Sequence, residues 1–370
     1  MPRPSPTTRV QQHLRRLSGR EHVVLTGRAA AGIYALLLAS GLRGRVVLLP
    51  ANTCYIVLWA VLRAGCIPRL VDADPQTGMI TPETLIPHAD SKPGALIPCH
   101  LYGLPAPMIA LSTWAAVHDC LLIEDAALAL GGQVEGRAAG AWGTASVFSF
   151  GLGKLLDQGV GGALLTDDAR LAAEVEHITR ALPLWDDDRV GWTNQWNALY
   201  WALHQYETAN PGLLDLYPRL YALYGDLVAY RLAAHEWEGL PVQLARLPQN
   251  LEARARLAER YDALLTGLPV RTLPRPAGTF LWRYPLLVAA EQRDELLARL
   301  WAAGVHDATR WYPALRHMAG ALGCGEFDTP GADAFCGQII NLPLDPAMSD
   351  ADVTHIATVV QAWAAGSSAS

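Results

Sequence analysis

Residues 121–127 read Leu-Leu-Ile-Glu-Asp-Ala-Ala, and residues 149–156 read Ser-Phe-Gly-Leu-Gly-Lys-Leu-Leu, with Gly159, Gly161 and Gly162 close behind. The first stretch is a short apolar run that ends in acids, as a buried strand does when its carboxyl end carries a ligand contact. The second places a lysine in a glycine-flanked loop after another apolar run, 146–150. Working outward, similar runs lie at 22–25, 46–49, 69–71, 95–98, 121–123 and 162–165. Helix-length segments separate several of them, at 29–40, 56–64 and 107–116. Apolar strands without alternation, spaced by helices, predict an α/β fold with a mainly parallel central sheet covered on both faces.

From about 167 to 265 the pattern turns helical and rich in Trp and Tyr. The stretch 268–278, Leu-Pro-Val-Arg-Thr-Leu-Pro-Arg-Pro-Ala-Gly, reads as a hinge. A strand at 280–288, a helix at 292–303 and a last helix after Ser349 follow. The expected organisation is a flexible N-terminus (1–20), a large domain (21–250) and a small C-terminal α+β domain (251–370).

The chain has 370 residues, of which 51% are apolar and 17% charged, enough for a large core and too apolar for disorder. A formal charge of −6 provides no basic field for nucleic acid. The run 46–62 carries no charge but contains Pro50, Asn52 and Thr53. It also falls short of the ~20 residues of a spanning helix, so no membrane role is expected. The six cysteines form no C-x-x-C pair, so no metal site is expected. They read as free thiols of a reducing cytoplasm. Among the basic residues 27 are arginines and two are lysines, Lys92 and Lys154.

Lys154 does not belong to a phosphate-gripping G-x-x-x-x-G-K-[ST] loop, because Phe148 takes the first glycine's place and Leu155 the hydroxyl residue's. No G-x-G-x-x-G follows a strand either. Asp125 reads as a ligand contact at a strand end, or as a cap for the next helix. An aspartate there and a lysine about thirty residues later point to pyridoxal phosphate. The acid keeps the pyridine nitrogen protonated and the lysine holds the cofactor as a Schiff base. The phosphate needs a helix N-terminus, which Thr26-Gly27-Arg28-Ala29-Ala30 offers; Arg28 can add charge and Ser149 a hydroxyl.

With these pieces the chain, from about residue 20 to 365, resembles the DegT/DnrJ/EryC1/StrS family, the sugar-aminotransferase branch of fold-type I pyridoxal-phosphate enzymes. The phosphate stretch is Gly27-Arg28-Ala29-Ala30. Pro50-Ala-Asn-Thr53, Gly65-Cys-Ile-Pro68 and Asp72-Ala-Asp74 follow in order. Then come His100-Leu-Tyr-Gly103, Glu124-Asp125-Ala126-Ala127, and Ser149-Phe150 with Lys154 and Gly161-Gly162. Tyr312-Pro313 and Leu342-Pro-Leu344 complete the set.

The resemblance implies Lys154 as Schiff-base lysine and proton shuttle, Asp125 as partner of the pyridine nitrogen, and Gly27, Arg28, Ala29 and Ser149 as the phosphate cup. Where the family stacks an aromatic residue on the cofactor, Cys54 stands in register and Tyr55 follows, so either takes that place. Two departures stand out. Leu128 replaces the family's Gln or His near the cofactor's phenolic oxygen. The family's G-x-N-x-R segment, which reaches the neighbouring subunit's phosphate, has its nearest match in Gly191-Trp-Thr-Asn194, making Asn194 the cross-subunit candidate. Arg310 and Arg316 either bind a substrate anion or form a solvated face.

The implied activity is transfer of an amino group, from glutamate or glutamine, to a keto-sugar, nucleotide-linked in polysaccharide or natural-product synthesis, or to a similar keto compound. The alternatives are elimination or aromatisation, as in the family's aminohydroxybenzoate synthases, and a non-enzymatic cofactor-bound scaffold. A homodimer with a shared site is implied, with its aromatic interface looked for over 185–230, where an aromatic core between the domains is the other reading.

Overall fold

The computed structural model describes residues 4–206 and 210–367. Its central sheet takes five strands from the first third of the chain: β1 (His22–Thr26), β2 (Val46–Pro50), β3 (Ile67–Val71), β4 (Ala95–Leu96) and β5 (Leu121–Asp125). A short ribbon of β6 (Gln133–Val134) and β7 (Arg137–Ala138) stands apart. Then β8 (Ala145–Ser149) and β9 (Gly162–Thr166) complete the sheet in the order β1-β9-β8-β5-β4-β2-β3. Pairing is parallel throughout except at β9, which runs antiparallel to both neighbours. All seven strands expected from the apolar runs are present.

Successive strand residues feed two cores, as a period of two requires. Val47, Leu49, Ile123, Val147 and Leu164 pack with the helices Ala29–Ala39 and Tyr55–Arg63. Leu48, Leu96, Leu122, Phe148 and Leu165 face the other way, with Met108 and Leu111 of the helix Met108–Val117. Burial on both faces is why these strands read as unbroken apolar runs.

The C-terminal part builds a second, antiparallel sheet from β10 (Arg271–Thr272), β11 (Tyr284–Leu287) and β12 (Ile339–Leu342), flanked by the helices Ala290–Ala302 and Asp350–Ser367. β10 lies inside the stretch expected to be a hinge. A boundary at 250/251 falls within the helix Leu247–Leu265, whose Leu247, Leu251 and Leu257 are buried in one core.

The expected flexible N-terminus is instead a helix, Pro6–Ser18, through most of its length. Ser5 caps it by accepting from the Thr8 N–H at 3.1 Å, Pro6 opens it, and Gly19 ends it at φ 76°. Val10 and Leu14, one turn apart, are fully buried. Arg20 is also buried, and donates to the carbonyls of Gly140, Trp142 and Gly143 and to Asp167.

The aromatic residues over 185–230 pack within the chain. Helices Asp187–Tyr206 and Leu216–Tyr224 lay Trp196, Tyr200 and Tyr221 around Tyr55 and Trp59, with the Trp59 and Trp196 centroids 4.5 Å apart. These rings fill an intrachain core on the helix Tyr55–Arg63, and Leu315, Met318 and Ala319 of the C-terminal part pack into the same core. Among the described residues, no helix is long and apolar enough to cross a membrane.

Candidate active site

β1, β2, β5 and β8 run in the same direction, so their carboxyl ends lie at one edge of the sheet, where open α/β sheets hold ligands. Asp125 closes β5 there and is 4% exposed. Its N–H donates to the Pro98 carbonyl (2.9 Å), and its carbonyl accepts from the His100 N–H (3.1 Å). A parallel bridge sets Cys99 beside it. Oδ1 accepts from the Ala127 N–H at 3.1 Å, closing a turn rather than capping a helix, since no helix begins there. Burial raises its carboxyl above the ordinary range, against the pull of the Ala127 N–H, the Lys154 ammonium, His100 and the Cys99 thiol.

Lys154 lies in the loop between β8 and β9, half-buried, with its N–H on the Gly151 carbonyl (3.2 Å). The loop is tied by Asp157, which accepts from Gly153 and Gly159 N–H groups at 2.7 Å each. Lys154 Nζ stands 5.8 Å from the Trp282 ring centroid. Its charge acts on Asp125, Cys54 and Cys99 alike, and Cys99 bridges to Asp125 on β5, the neighbour of β8 from which the lysine loop leaves.

Cys54 belongs to the same group. It precedes the helix Tyr55–Arg63, and burial raises its thiol while Lys154 and Arg28 pull it down. Tyr55 does not join it: its ring lies among Trp59, Trp196 and Tyr200.

The phosphate corner forms at the start of the helix Ala29–Ala39, which no side chain caps. Thr26, Gly162 and Ser149 stand in one cross-strand row beside it. Gly162 is needed there, because a β-carbon would sit 2.3 Å from the Ala29 nitrogen. Ala29 is buried next to that contact, and the Ser149 hydroxyl accepts from the Gly151 N–H at 3.4 Å. Gly27 is a glycine for a reason the sequence does not reveal: Tyr230 packs on it, and a β-carbon would lie 2.2 Å from the Tyr230 carbonyl oxygen. Arg28 follows the same segment, donating to the Leu227 carbonyl at 2.7 Å with its guanidinium 5.9 Å from the Tyr230 ring centroid.

A cofactor with an anionic phosphate and a protonated ring nitrogen fits this set. Among the described residues the buried Asp125 carboxylate has one backbone N–H and a thiol as direct partners and no contacting cation, a place that a ring N–H⁺ would fill. The uncapped helix start and Ser149 suit the phosphate.

Other expected residues lie elsewhere. Asn194 is exposed on the helix Asp187–Tyr206, outside the groups around Asp125 and Lys154. Arg310 pairs with Asp294 (3.4 Å) and Arg316 with Asp333 (2.8 Å). Leu128 is 1% exposed within the core. Three residues of the centre carried no assigned role in the sequence: Cys99, Trp282 and Tyr312. Tyr312 is buried, stacks on Trp282 (6.3 Å, 11°), and its hydroxyl is raised by burial and by Cys54, Cys99 and Asp125. The Tyr312-Pro313 pattern marked it; Trp282 had no local signal.

One family model, described as the DegT/DnrJ/EryC1/StrS aminotransferase family, matches residues 5–196 and 228–361. The unmatched part, 197–227, includes the Leu216–Tyr224 helix of the aromatic core. The erythromycin biosynthesis sensory transduction protein EryC1 of Saccharopolyspora erythraea is 28% identical over 351 residues, covering 93% of this chain and 86% of its own. A DegT DnrJ EryC1 StrS aminotransferase from Brucella abortus superposes with a TM-score of 0.78 at 25% identity, over 98% of this chain and 91% of that one. DesI, solved in the presence of its TDP-sugar product, gives 0.77 at 26% identity, over 98% and 86%. Family match, sheet topology and the Asp125–Lys154 centre agree: this chain belongs to the DegT/DnrJ/EryC1/StrS aminotransferase family.

Proposed function

We propose that the protein is a pyridoxal-phosphate-dependent aminotransferase that moves an amino group from glutamate or glutamine onto a nucleotide-linked keto-sugar. The observation that carries this reading is the placement of the buried Asp125 at the end of β5 and of Lys154 in the loop after the neighbouring strand β8. The sugar acceptor is supported by the likeness to DesI, whose structure holds its TDP-sugar product. When bound, pyridoxal phosphate supplies an electron sink for the carbon that loses its proton.

The chain's own residues do the rest. Asp125 holds the ring nitrogen's proton, and its burial keeps that charge pair out of water. Lys154 Nζ would hold the cofactor and, as a free amine, would serve as the base and acid that moves the proton. Gly27, Arg28, Ala29 and Ser149 form the phosphate corner. Cys54 would take the place of the family's stacking aromatic residue, and Trp282 and Tyr312, stacked on each other, would close the side towards the C-terminal part. A second copy completes the assembly as a homodimer: Asn194 sits on a helix whose Val190, Trp192 and Leu199 are exposed. The six thiols are free, as suits a reducing cytoplasm.

Two tests arise here. Asp125→Asn is expected to retain cofactor and lose activity by about 10²-fold or more, as when a key electrostatic partner is removed. It also separates function from stability. A carboxyl raised in the folded state contributes stability below its unfolded pKa and loses it as pH rises through the folded pKa. Cofactor-free parent protein therefore weakens from acid to neutral pH relative to Asp125→Asn, readable as the urea midpoint of each. A fully active Asp125→Asn enzyme contradicts the assignment. Arg28→Ala is expected to lower cofactor affinity by about 10- to 150-fold, the worth of a charged hydrogen bond. Equilibrium dialysis reads it, and unchanged affinity removes Arg28 from the cup.

A further inference from the structure

Lys154 is flanked by two backbone carbonyls, those of Gly153 and Leu155, and a side chain from outside the loop holds each. The Trp282 indole N–H donates to the Gly153 carbonyl. Asn250 Nδ2 donates to the Leu155 carbonyl at 3.1 Å. One residue joins these two donors. Arg254 stands one turn after Asn250 on the helix Leu247–Leu265; its Nε donates to Asn250 Oδ1 at 2.8 Å, and its Nη1 to the Trp282 carbonyl at 2.7 Å and to the Leu344 carbonyl.

Arg254 is 4% exposed, and its hydrogen-bond partners are three carbonyl oxygens, two of the backbone and one of an amide. Burial pushes the guanidinium down to about 10. A buried cation without a contacting carboxylate is a costly way to fill a core. The loop it serves needs outside support, because Gly151, Gly153, Gly159 and Gly161 give the backbone around Lys154 wide freedom. The ring of Trp282 adds a face against Lys154 Nζ.

We propose that Arg254, Asn250 and Trp282 form a bracket that fixes the backbone on both sides of Lys154 and so aims Nζ at the reacting carbon. All three are positioning residues, acting through Lys154, and the proposal rests on the reading of Lys154 as the cofactor lysine. The bracket ties the small-sheet part of the chain to the catalytic loop.

The test compares the parent with Trp282→Phe, Asn250→Asp and the double variant. Trp282→Phe keeps a ring and removes the N–H. Asn250→Asp keeps the acceptor for Arg254 and removes the donor to Leu155. Gln243→Leu is the control, because Gln243 Nε2 donates to the Asp157 carbonyl of the same loop (3.1 Å) without flanking Lys154. Each protein is stripped, given pyridoxal phosphate, reduced with borohydride at short times and mapped; Lys92, the other lysine, reports non-specific modification. Steady-state kcat and KM for glutamate are measured in parallel.

Each single variant is expected to slow fixation on Lys154 and kcat by about tenfold, and the double by about 10²-fold, the cost of a small misplacement. KM should stay within about threefold and Gln243→Leu at parent values. The proposal is overturned if the bracket variants fix cofactor and turn over at parent rates. Equal losses in Gln243→Leu, or a fall in melting temperature with kcat per folded enzyme unchanged, overturn it as well. A parent that takes no cofactor on Lys154 overturns the reading of the lysine itself, and the bracket with it.

Discussion

Lys154→Arg is expected to abolish amino transfer while leaving the fold intact. Arginine keeps a positive charge beside Asp125 and Trp282, so the electrostatics that offset the buried carboxylate are retained. The guanidinium stays protonated, however, and neither bonds the cofactor covalently nor shuttles a proton. Proton transfer by a positioned group alone is worth about 10²–10⁴-fold, and the covalent role comes on top of it. Turnover should therefore fall by at least about 10⁴-fold. Lys154 is half-buried, so the melting temperature should barely move. Lys92 remains as the other lysine, exposed in a Ser-Lys-Pro-Gly turn at φ 45°. Borohydride should then leave no cofactor on the protein. A Lys154→Arg variant with residual turnover near the parent's would remove this lysine from the chemistry.

Glu124→Ala is expected to cost about 3–5 kcal/mol of stability. Glu124 and His100 are both fully buried. The Ala106 N–H donates to His100 Nδ1 at 3.0 Å, so Nε2 carries the ring proton and donates to Glu124 Oε1 at 2.9 Å. The same carboxylate accepts from the Gly140 and Trp142 N–H groups, each at 2.8 Å. Arg20 grips the carbonyl side of that turn, at Gly140, Trp142 and Gly143. Alanine leaves three buried donors without an acceptor. Breaking a buried charged network by removing one partner costs about 3–5 kcal/mol. That is a large share of the roughly 5–15 kcal/mol a domain has in total. Urea unfolding measures it, and a loss under about 1 kcal/mol would mean the turn re-forms with water in place of the carboxylate. Because Glu124 points to the opposite face of β5 from Asp125, this variant tests the scaffold and Asp125→Asn tests the chemistry.

The sheet was legible because its strands are buried on both faces, which writes them as apolar runs that need no alternation. Asp125 and Lys154 stand out for a related reason: Asp125 closes β5, Lys154 follows the end of β8, and a parallel fold gathers strand ends at one edge. The N-terminal helix had a readable signal too. Ser5-Pro6 is a cap followed by a favourable first position, and Val10 and Leu14 lie one turn apart. The choice between Cys54 and Tyr55 was not readable from the register alone. It depends on the packing of residues near 196–200, which claims the Tyr55 ring. Tyr230 on Gly27 and Trp282 on Gly153 are contacts between segments more than a hundred residues apart. No local periodicity encodes such contacts, so the reason for Gly27 and the support of the lysine loop emerged only from the folded chain.

The central claim is transfer of an amino group to a keto-sugar. Its most direct test is a two-stage isotope experiment on cofactor-loaded enzyme. Glutamate and glutamine, labelled with nitrogen-15 at the α-amino group, are added first in turn, and a panel of nucleotide-linked keto-hexoses second. The account predicts stoichiometric release of the donor's 2-oxo acid before any acceptor is present, then nitrogen-15 in an amino-sugar product. Release of the label as ammonium, or no oxo acid from either donor while Lys154 holds the cofactor, would contradict it.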